Sequence, residues 1–176
     1  ENFKINDLIF SLKKRGHQIT VLTGKPNYSK KYFFEGYGWK SDDFETINDI
    51  PVYRANLFSR RNGGAFRLFL NYISFAFLAP LKLRKIKGSF DAIFVYQTSP
   101  VTVGIPAIFA KKLFKTPIYF WVQDLWPESL AAAGGVNNKL VLGFFNSLTK
   151  FIYNHSKRVL IQSEGFREYI LNQGIP

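Results

Sequence analysis

The alternation of amphipathic stretches with short apolar runs predicts an α/β protein built on a doubly wound parallel sheet. Three observations carry this reading. Phe3, Ile5, Leu8, Ile9 and Leu12 recur at helical spacing, and the apolar run Ile19-Thr20-Val21-Leu22 follows directly. The same alternation returns at 101–114, a helical stretch, followed by Pro117-Ile118-Tyr119-Phe120-Trp121-Val122. That second run is apolar throughout, the pattern of a strand covered on both faces.

The elements follow in order. Lys13, Lys14 and Arg15 occupy the last turn of the first helix, where cations are favoured, and Gly16 supplies the stop. Strand 19–22 ends at Gly24-Lys25-Pro26-Asn27, a turn composition. Residues 25–48 show no strong period and read as a long loop. Pro51-Val52-Tyr53-Arg54 is a short strand, and a helix covers Phe66 to Lys85 with a break expected at Pro80. Asp91 to Tyr96 is the next strand. Ser99 is placed as N-cap of the helix that follows, with Pro100 at its first position. A long helix spans about 138–154, Arg158-Val159-Leu160-Ile161 is the last strand, and Ser163 caps a helix ending before Gly174. The chain opens on a helix and lacks Met at position 1, so a first strand is expected upstream, in a longer chain.

Composition narrows the chemistry. The 176 residues are 47% hydrophobic, with 19 Phe and 9 Tyr, which excludes a disordered chain and suffices for one domain. Cysteine is absent, removing disulfides, thiolate nucleophiles and thiolate-bound metals together. With His17 and His155 the only histidines, no metal site is expected. The net charge is +12, and no acid stands between Asp49 and Asp91. That interval holds Arg54, Arg60, Arg61, Arg67, Lys82, Arg84, Lys85 and Lys87, a basic stripe suited to an anionic partner or to plain solvation. Residues 65–81 are interrupted by Arg67, Asn71, Ser74 and Pro80 and fall short of a spanning helix. They read as a helix packed on the sheet, or as one lying in a membrane interface. No segment has the layout of a secretory signal, and the cytoplasm is the expected location.

In open α/β sheets, function sits at the carboxyl ends of the strands. Four polar clusters occupy such positions, expected on one edge of the sheet. They are Gly24-Lys25-Pro26-Asn27-Tyr28, Gln97-Thr98-Ser99, Gln123-Asp124-Leu125-Trp126-Pro127-Glu128-Ser129 and Gln162-Ser163-Glu164-Gly165. Each is also what loops need, since Asn and Ser cap helices while Gly and Pro turn the chain. The third stands apart: two acids and a tryptophan straight after an apolar strand exceed what capping requires.

Leu12-Lys13-Lys14-Arg15-Gly16-His17-Gln18-Ile19-Thr20-Val21-Leu22-Thr23 resembles the L-x-x-R-G-H-x-V-T-V-L-T signature of family-4 glycosyltransferases. Trp121-Val122-Gln123-Asp124-Leu125-Trp126-Pro127-Glu128-Ser129 is similar to the branch that builds bacterial O-antigens and capsules, including fucosamine transferases. Pro26-Asn27-Tyr28 and Asn71-Tyr72-Ile73-Ser74-Phe75 resemble that branch too. The resemblance covers nearly the whole chain.

It implies a GT-B enzyme made of two facing Rossmann-like domains, of which residues 1–176 are the N-terminal, acceptor-side one; the donor domain would lie beyond. The implied reaction moves a sugar, with retention and without metal or cofactor, from a nucleotide-sugar to a lipid-linked saccharide. The implied place is the inner face of the bacterial plasma membrane. For the carboxylate at the acceptor hydroxyl, Asp124 is the first choice and Glu128 the second; Glu128 also suits the first turn of a short helix. Substrate contacts are expected at Lys4, Asn27, Tyr28, Thr98, Ser99, Gln123, Trp126, Ser163 and Glu164. Lys4, standing where relatives often carry Arg, would face a phosphate. Arg60, Arg61 and Arg67 would meet an anionic membrane surface, while His17 and His155 read as structural. Competing readings are a nucleotide-sugar epimerase or dehydrogenase on the same fold, a binding fragment without turnover, and a nucleic-acid binder. No recognition motif supports the last, so nucleic acid is not an expected partner.

Overall fold

A computed structural model describes residues 2–27, 33–60, 64–134 and 136–175. Two compact units divide the chain, 1–87 and 88–176, each with its own three-stranded sheet. The four polar clusters are thus shared between two sheets, the first on one and the other three on the second.

In the first unit, α1 (Asn2–Lys14) leads through Gly16 into β1 (Val21–Gly24). Gly16 adopts φ +87°, the left-handed conformation that ends a helix without a Cβ penalty. β1 runs parallel to β3 (Ile50–Ala55), with Val21 opposite Val52. On the far side β3 pairs antiparallel with β2 (Phe44–Ile47). β2 corrects the expectation of an unbroken loop over 25–48. Its hairpin turns through Asn48 and Asp49 at φ 49° and 57°, a primed turn that, glycine apart, Asn and Asp tolerate best.

α2 (Ala65–Leu83) runs through Pro80 without breaking and covers this sheet. It buries Asn71, Ser74, Ala76, Ala79 and Leu83 on one face. The opposite face leaves Phe66, Phe69, Phe77 and Leu81 exposed. Its stretch Phe66–Leu83 has mean hydropathy 1.3, long and apolar enough to cross a membrane by length and composition, which corrects the shorter reading from sequence. Of the polar interruptions that shortened that reading, Asn71 and Ser74 are buried in the fold.

In the second unit, β4 (Ile93–Gln97), β5 (Ile118–Val122) and β6 (Arg158–Leu160) are parallel and lie in sequence order. The crossovers are α3 (Gly104–Phe114), and then α4 (Glu128–Gly134) with α5 (Lys139–His155). Only alternate residues of β5 are buried, Ile118, Phe120 and Val122. Phe120 meets Tyr153 of α5 at 5.5 Å between ring centroids, on the face that the helices cover. Tyr119 and Trp121 point to the other face, where Trp121 lies against Phe94 and Tyr96. Aromatic residues therefore make an alternating strand look continuously apolar.

Two caps behave differently from expectation. Pro100, extended at φ −89° and ψ 174°, heads a 3-10 turn over Val101–Val103, and α3 starts only at Gly104. Ser99 therefore lies outside the cap position. Ser163 does stand at the N-cap of α6 (Glu164–Asn172), but its hydroxyl makes no capping bond. Asn138 caps α5 through its side-chain oxygen, which accepts from Leu140 N at 2.9 Å and Val141 N at 3.3 Å.

Candidate functional site

The carboxyl edge of the β4-β5-β6 sheet gathers most of the predicted polar residues. Parallel pairing places Gln97, the last residue of β4, opposite Val122, so the chain leaves both strands at one level. Gln123 N then donates to the Gln97 carbonyl at 2.9 Å. The Gln97 side chain is fully buried, and its Nε2 donates to the Asp124 carbonyl oxygen at 3.0 Å. From the third strand, Gln162 Nε2 donates to the Gln123 carbonyl at 2.9 Å. Glutamine side chains thus reach across the ends of the strands from both neighbours and fix the backbone on either side of Asp124.

The carboxylate is held as well. Ser129 Oγ hydrogen-bonds to Asp124 Oδ1, and the same oxygen lies 2.7 Å from the Leu125 carbonyl. Asp124 is half-buried, while Glu128 opens α4 and is exposed. Two tyrosines back this pair. The Tyr153 hydroxyl is buried without a hydrogen-bond partner, and burial, with the charges of Glu128 and Asp124, pushes its pKa up. Tyr169 is raised too, by burial first and then by its hydrogen bond to Glu128; its oxygen also takes Nε2 of Gln173. A carboxylate fixed through backbone and side chain, beside a second acid and hydroxyls that stay protonated, can accept and orient the hydroxyl of a substrate.

The other predicted residues fall into distinct surroundings. Trp126 is 4% exposed and packs edge-on against Phe145 at 5.3 Å; its Nε1 is buried and unpartnered. Gln123 Nε2 and Gln97 Oε1 are also buried without partners. Thr98 offers its carbonyl to Gln97 Nε2 at a long 3.5 Å, and Ser99 is half-buried beside it. Ser163 is exposed, and Glu164, also exposed, faces Arg167 one helical turn on at 3.9 Å.

In the first unit, the carboxyl ends of β1 and β3 carry a polar network of their own. Asn27 is buried and donates to the Lys25 carbonyl at 3.1 Å. Asn71 of α2 donates to Asn27 Oδ1 at 3.4 Å and to the Phe58 carbonyl at 2.6 Å, and accepts from Arg60 Nε at 3.2 Å. The Arg60 guanidinium lies over the Tyr72 ring, 5.4 Å from its centroid. Lys25 is 1% exposed; its ammonium donates to the Gly38 carbonyl, to Ser41 O at 2.9 Å and to Ser41 Oγ at 3.0 Å. Burial pushes its pKa below the usual lysine range, with the nearby Lys82 charge acting in the same direction. Lys4 is exposed on the first turns of α1, and Arg67 is half-buried on α2. Tyr28 and Arg61 lie outside the described residues.

Part of the basic stripe is neutralised internally. Asp43 binds both Lys82 and Lys85, and Glu45 binds Arg54 across the β2–β3 pair. Among the described residues no cluster of side chains could hold a metal ion. The depression bounded by Phe10, Lys13, Lys14 and Asn48 lies at the β2–β3 turn, at the amino end of β3 rather than at the carboxyl ends of β1 and β3. Its Lys13 is already paired with Asp49 at 3.1 Å.

Sequence reasoning passed over Ser129, Asn71, Tyr153 and Tyr169 as working members of these networks. For Ser129 and Asn71 a signal existed, since both lie in motifs singled out above. The two tyrosines sit at ordinary helical core spacing, which carries no such signal. No curated protein matches the chain. Residues 4–176, nearly the full length, match the family model described as the glycosyl transferase 4-like domain. The chain therefore belongs to the family-4-like glycosyltransferase domains.

Proposed function

We propose that this chain is the acceptor side of a two-domain GT-B enzyme that transfers a sugar from a nucleotide-sugar to a lipid-linked saccharide, with retention of configuration and without metal or cofactor. The branch is that of bacterial surface polysaccharides, the O-antigens and capsules, which includes fucosamine transferases. The observation that carries the chemical part is Asp124, held at the carboxyl end of β5 by Gln97 through its backbone and by Ser129 through its carboxylate.

In this reading Asp124 accepts the hydrogen bond of the acceptor hydroxyl and takes its proton as the reaction proceeds. The bond to the nucleotide diphosphate breaks, the diphosphate leaving with the electron pair, and the acceptor oxygen forms its bond to the anomeric carbon on the face the diphosphate leaves, so configuration is retained. Glu128, close by on α4, is the second carboxylate. Thr98, Ser99, Gln123, Trp126, Ser163 and Glu164 belong to the same strand ends; Lys4, Asn27 and Tyr28 belong to the first unit.

In the first unit, α2 offers a surface suited to the membrane that carries such an acceptor. Phe66, Phe69, Phe77 and Leu81 form an exposed apolar face, and Arg60, Arg61 and Arg67 supply cations for diphosphate and headgroups at the inner leaflet. Labelled UDP- and GDP-sugars, offered with membrane lipid to the intact gene product, test the enzyme class: label entering the lipid phase is expected from one donor, and none from any donor would refute it. Arg60→Ala, Arg61→Ala and Arg67→Ala together should reduce flotation with anionic liposomes by roughly 1 kcal/mol per charge at low salt. Unchanged flotation would remove the membrane contact from these arginines.

A further inference from the structure

Ser129 stands one helical turn beyond Leu125, with its hydroxyl oxygen within reach of two acceptors, Asp124 Oδ1 and the Leu125 carbonyl at 2.7 Å. A serine hydroxyl carries one proton and can serve only one of them at a time. The Leu125 carbonyl already receives Ser129 N at 2.9 Å and does not need the hydroxyl. The carboxylate makes the stronger, charge-assisted bond. Oδ1 is thereby engaged, whereas Oδ2 receives no hydrogen bond from the described residues.

We infer that Ser129 is a positioning residue for the proposed transfer: it pins Oδ1 of Asp124 and leaves Oδ2 as the oxygen that meets the acceptor hydroxyl. This rests on the function proposed above. The acceptor proton moves to Oδ2 while the acceptor oxygen bonds to the anomeric carbon and the nucleotide diphosphate departs with its electron pair. Asp124, now neutral, holds Ser129 less strongly, and the serine turns its proton to the Leu125 carbonyl without losing it. When Asp124 passes its proton on to the departed diphosphate, the hydroxyl turns back. The two acceptors make this a rotation about one bond, with no movement of the backbone.

The test uses the intact gene product, membrane lipid as acceptor and whichever labelled nucleotide-sugar gives transfer. Ser129→Ala should lower kcat by about 10-fold, the scale of one hydrogen bond to a charged group, with KM for the donor unchanged. Ser129→Thr, which keeps the hydroxyl, should restore most of the rate. Ser129→Cys keeps the volume but donates weakly, and should stay as slow as Ser129→Ala; that pair carries the test if Ser129→Ala does not fold. The double variant D124N/S129A should be no slower than D124N, because Ser129 acts through Asp124. Wild-type kcat in S129A, a threonine variant as slow as the alanine one, or losses that multiply in the double variant would each overturn the inference. If D124N collapses while S129A does not, only the role of Ser129 fails. If D124N is itself at wild-type rate, the reading of Asp124 fails first.

Discussion

Gln97 shows how a single side chain can decide the placement of another. It is fully buried at the end of β4, and its amide is the link between that strand and the Asp124 carbonyl. Gln97→Ala should cost about 1–3 kcal/mol of stability, because it leaves a buried carbonyl without its donor, and should lower transfer as well. Urea unfolding with the transfer assay checks both; an unchanged urea midpoint would show that the amide is dispensable. The position of this glutamine at a strand end was legible in the sequence, but its reach across the sheet edge was not. That reach depends on register, which pairs Gln97 with Val122 and which local sequence does not encode. Asp43 gives a second expectation. Its hydrogen bonds to Lys82 and then Lys85 hold its pKa at about 2, below the ordinary 3.8. The pair therefore stabilises the fold above pH 4, and that contribution is lost as pH falls through 2. That lowering corresponds to about 2 kcal/mol, reduced by the partial exposure of the pair. Asp43→Asn should flatten the stability curve between pH 4 and pH 2 while leaving its neutral-pH shape intact. An unaltered acid limb would mean that another carboxylate governs it.

Helix pairing adds its own constraints. A Cβ built on Gly104 would collide with Ile152 Cγ2, so α3 and α5 approach each other at a point where only glycine fits. Gly104→Ala should destabilise by about 1–3 kcal/mol through overpacking, and should cost less when made in an Ile152→Ala background, where the colliding methyl is gone. Additive losses in urea unfolding would argue against that contact. α2 makes the complementary point. Its buried face holds Asn71 and Ser74 in hydrogen bonds, while its apolar residues at 66, 69, 77 and 81 face outward. Phe66→Ser and Phe77→Ser together should leave the urea midpoint nearly unchanged and weaken liposome flotation. Lost stability with undiminished flotation would show that this face packs within the fold. Most elements were legible because their periods are strong, as in 2–14 and 118–122. β2 was not, because its four residues follow a polar segment without a period; the Asn48-Asp49 pair between Ile47 and Ile50 was the clue. The cap at Ser99 failed for a related reason, since the 3-10 turn at 101–103 intervenes before α3 begins.

At the scale of the whole chain, two compact units carry separate polar networks, one around Asn27 and Asn71 and one around Asp124. The family match spans both, and the transferase class follows from it. The sequence run from Trp121 to Ser129 already marked the place of Asp124, because acids directly after an apolar strand point to a strand-end site. It could not show which side chains would hold that acid, since Gln97 is 27 residues away and Gln162 reaches Gln123 from 39 residues away. The role proposed for Asp124 is to receive the acceptor hydroxyl. The most direct measurement is the transfer of labelled sugar into membrane lipid by the intact gene product, wild type beside Asp124→Asn, with unfolding curves confirming that both are folded. Loss of a proton acceptor at the reacting hydroxyl predicts a fall of about 100-fold to 10,000-fold in kcat. A folded Asp124→Asn variant that transfers sugar at the wild-type rate would contradict the claim.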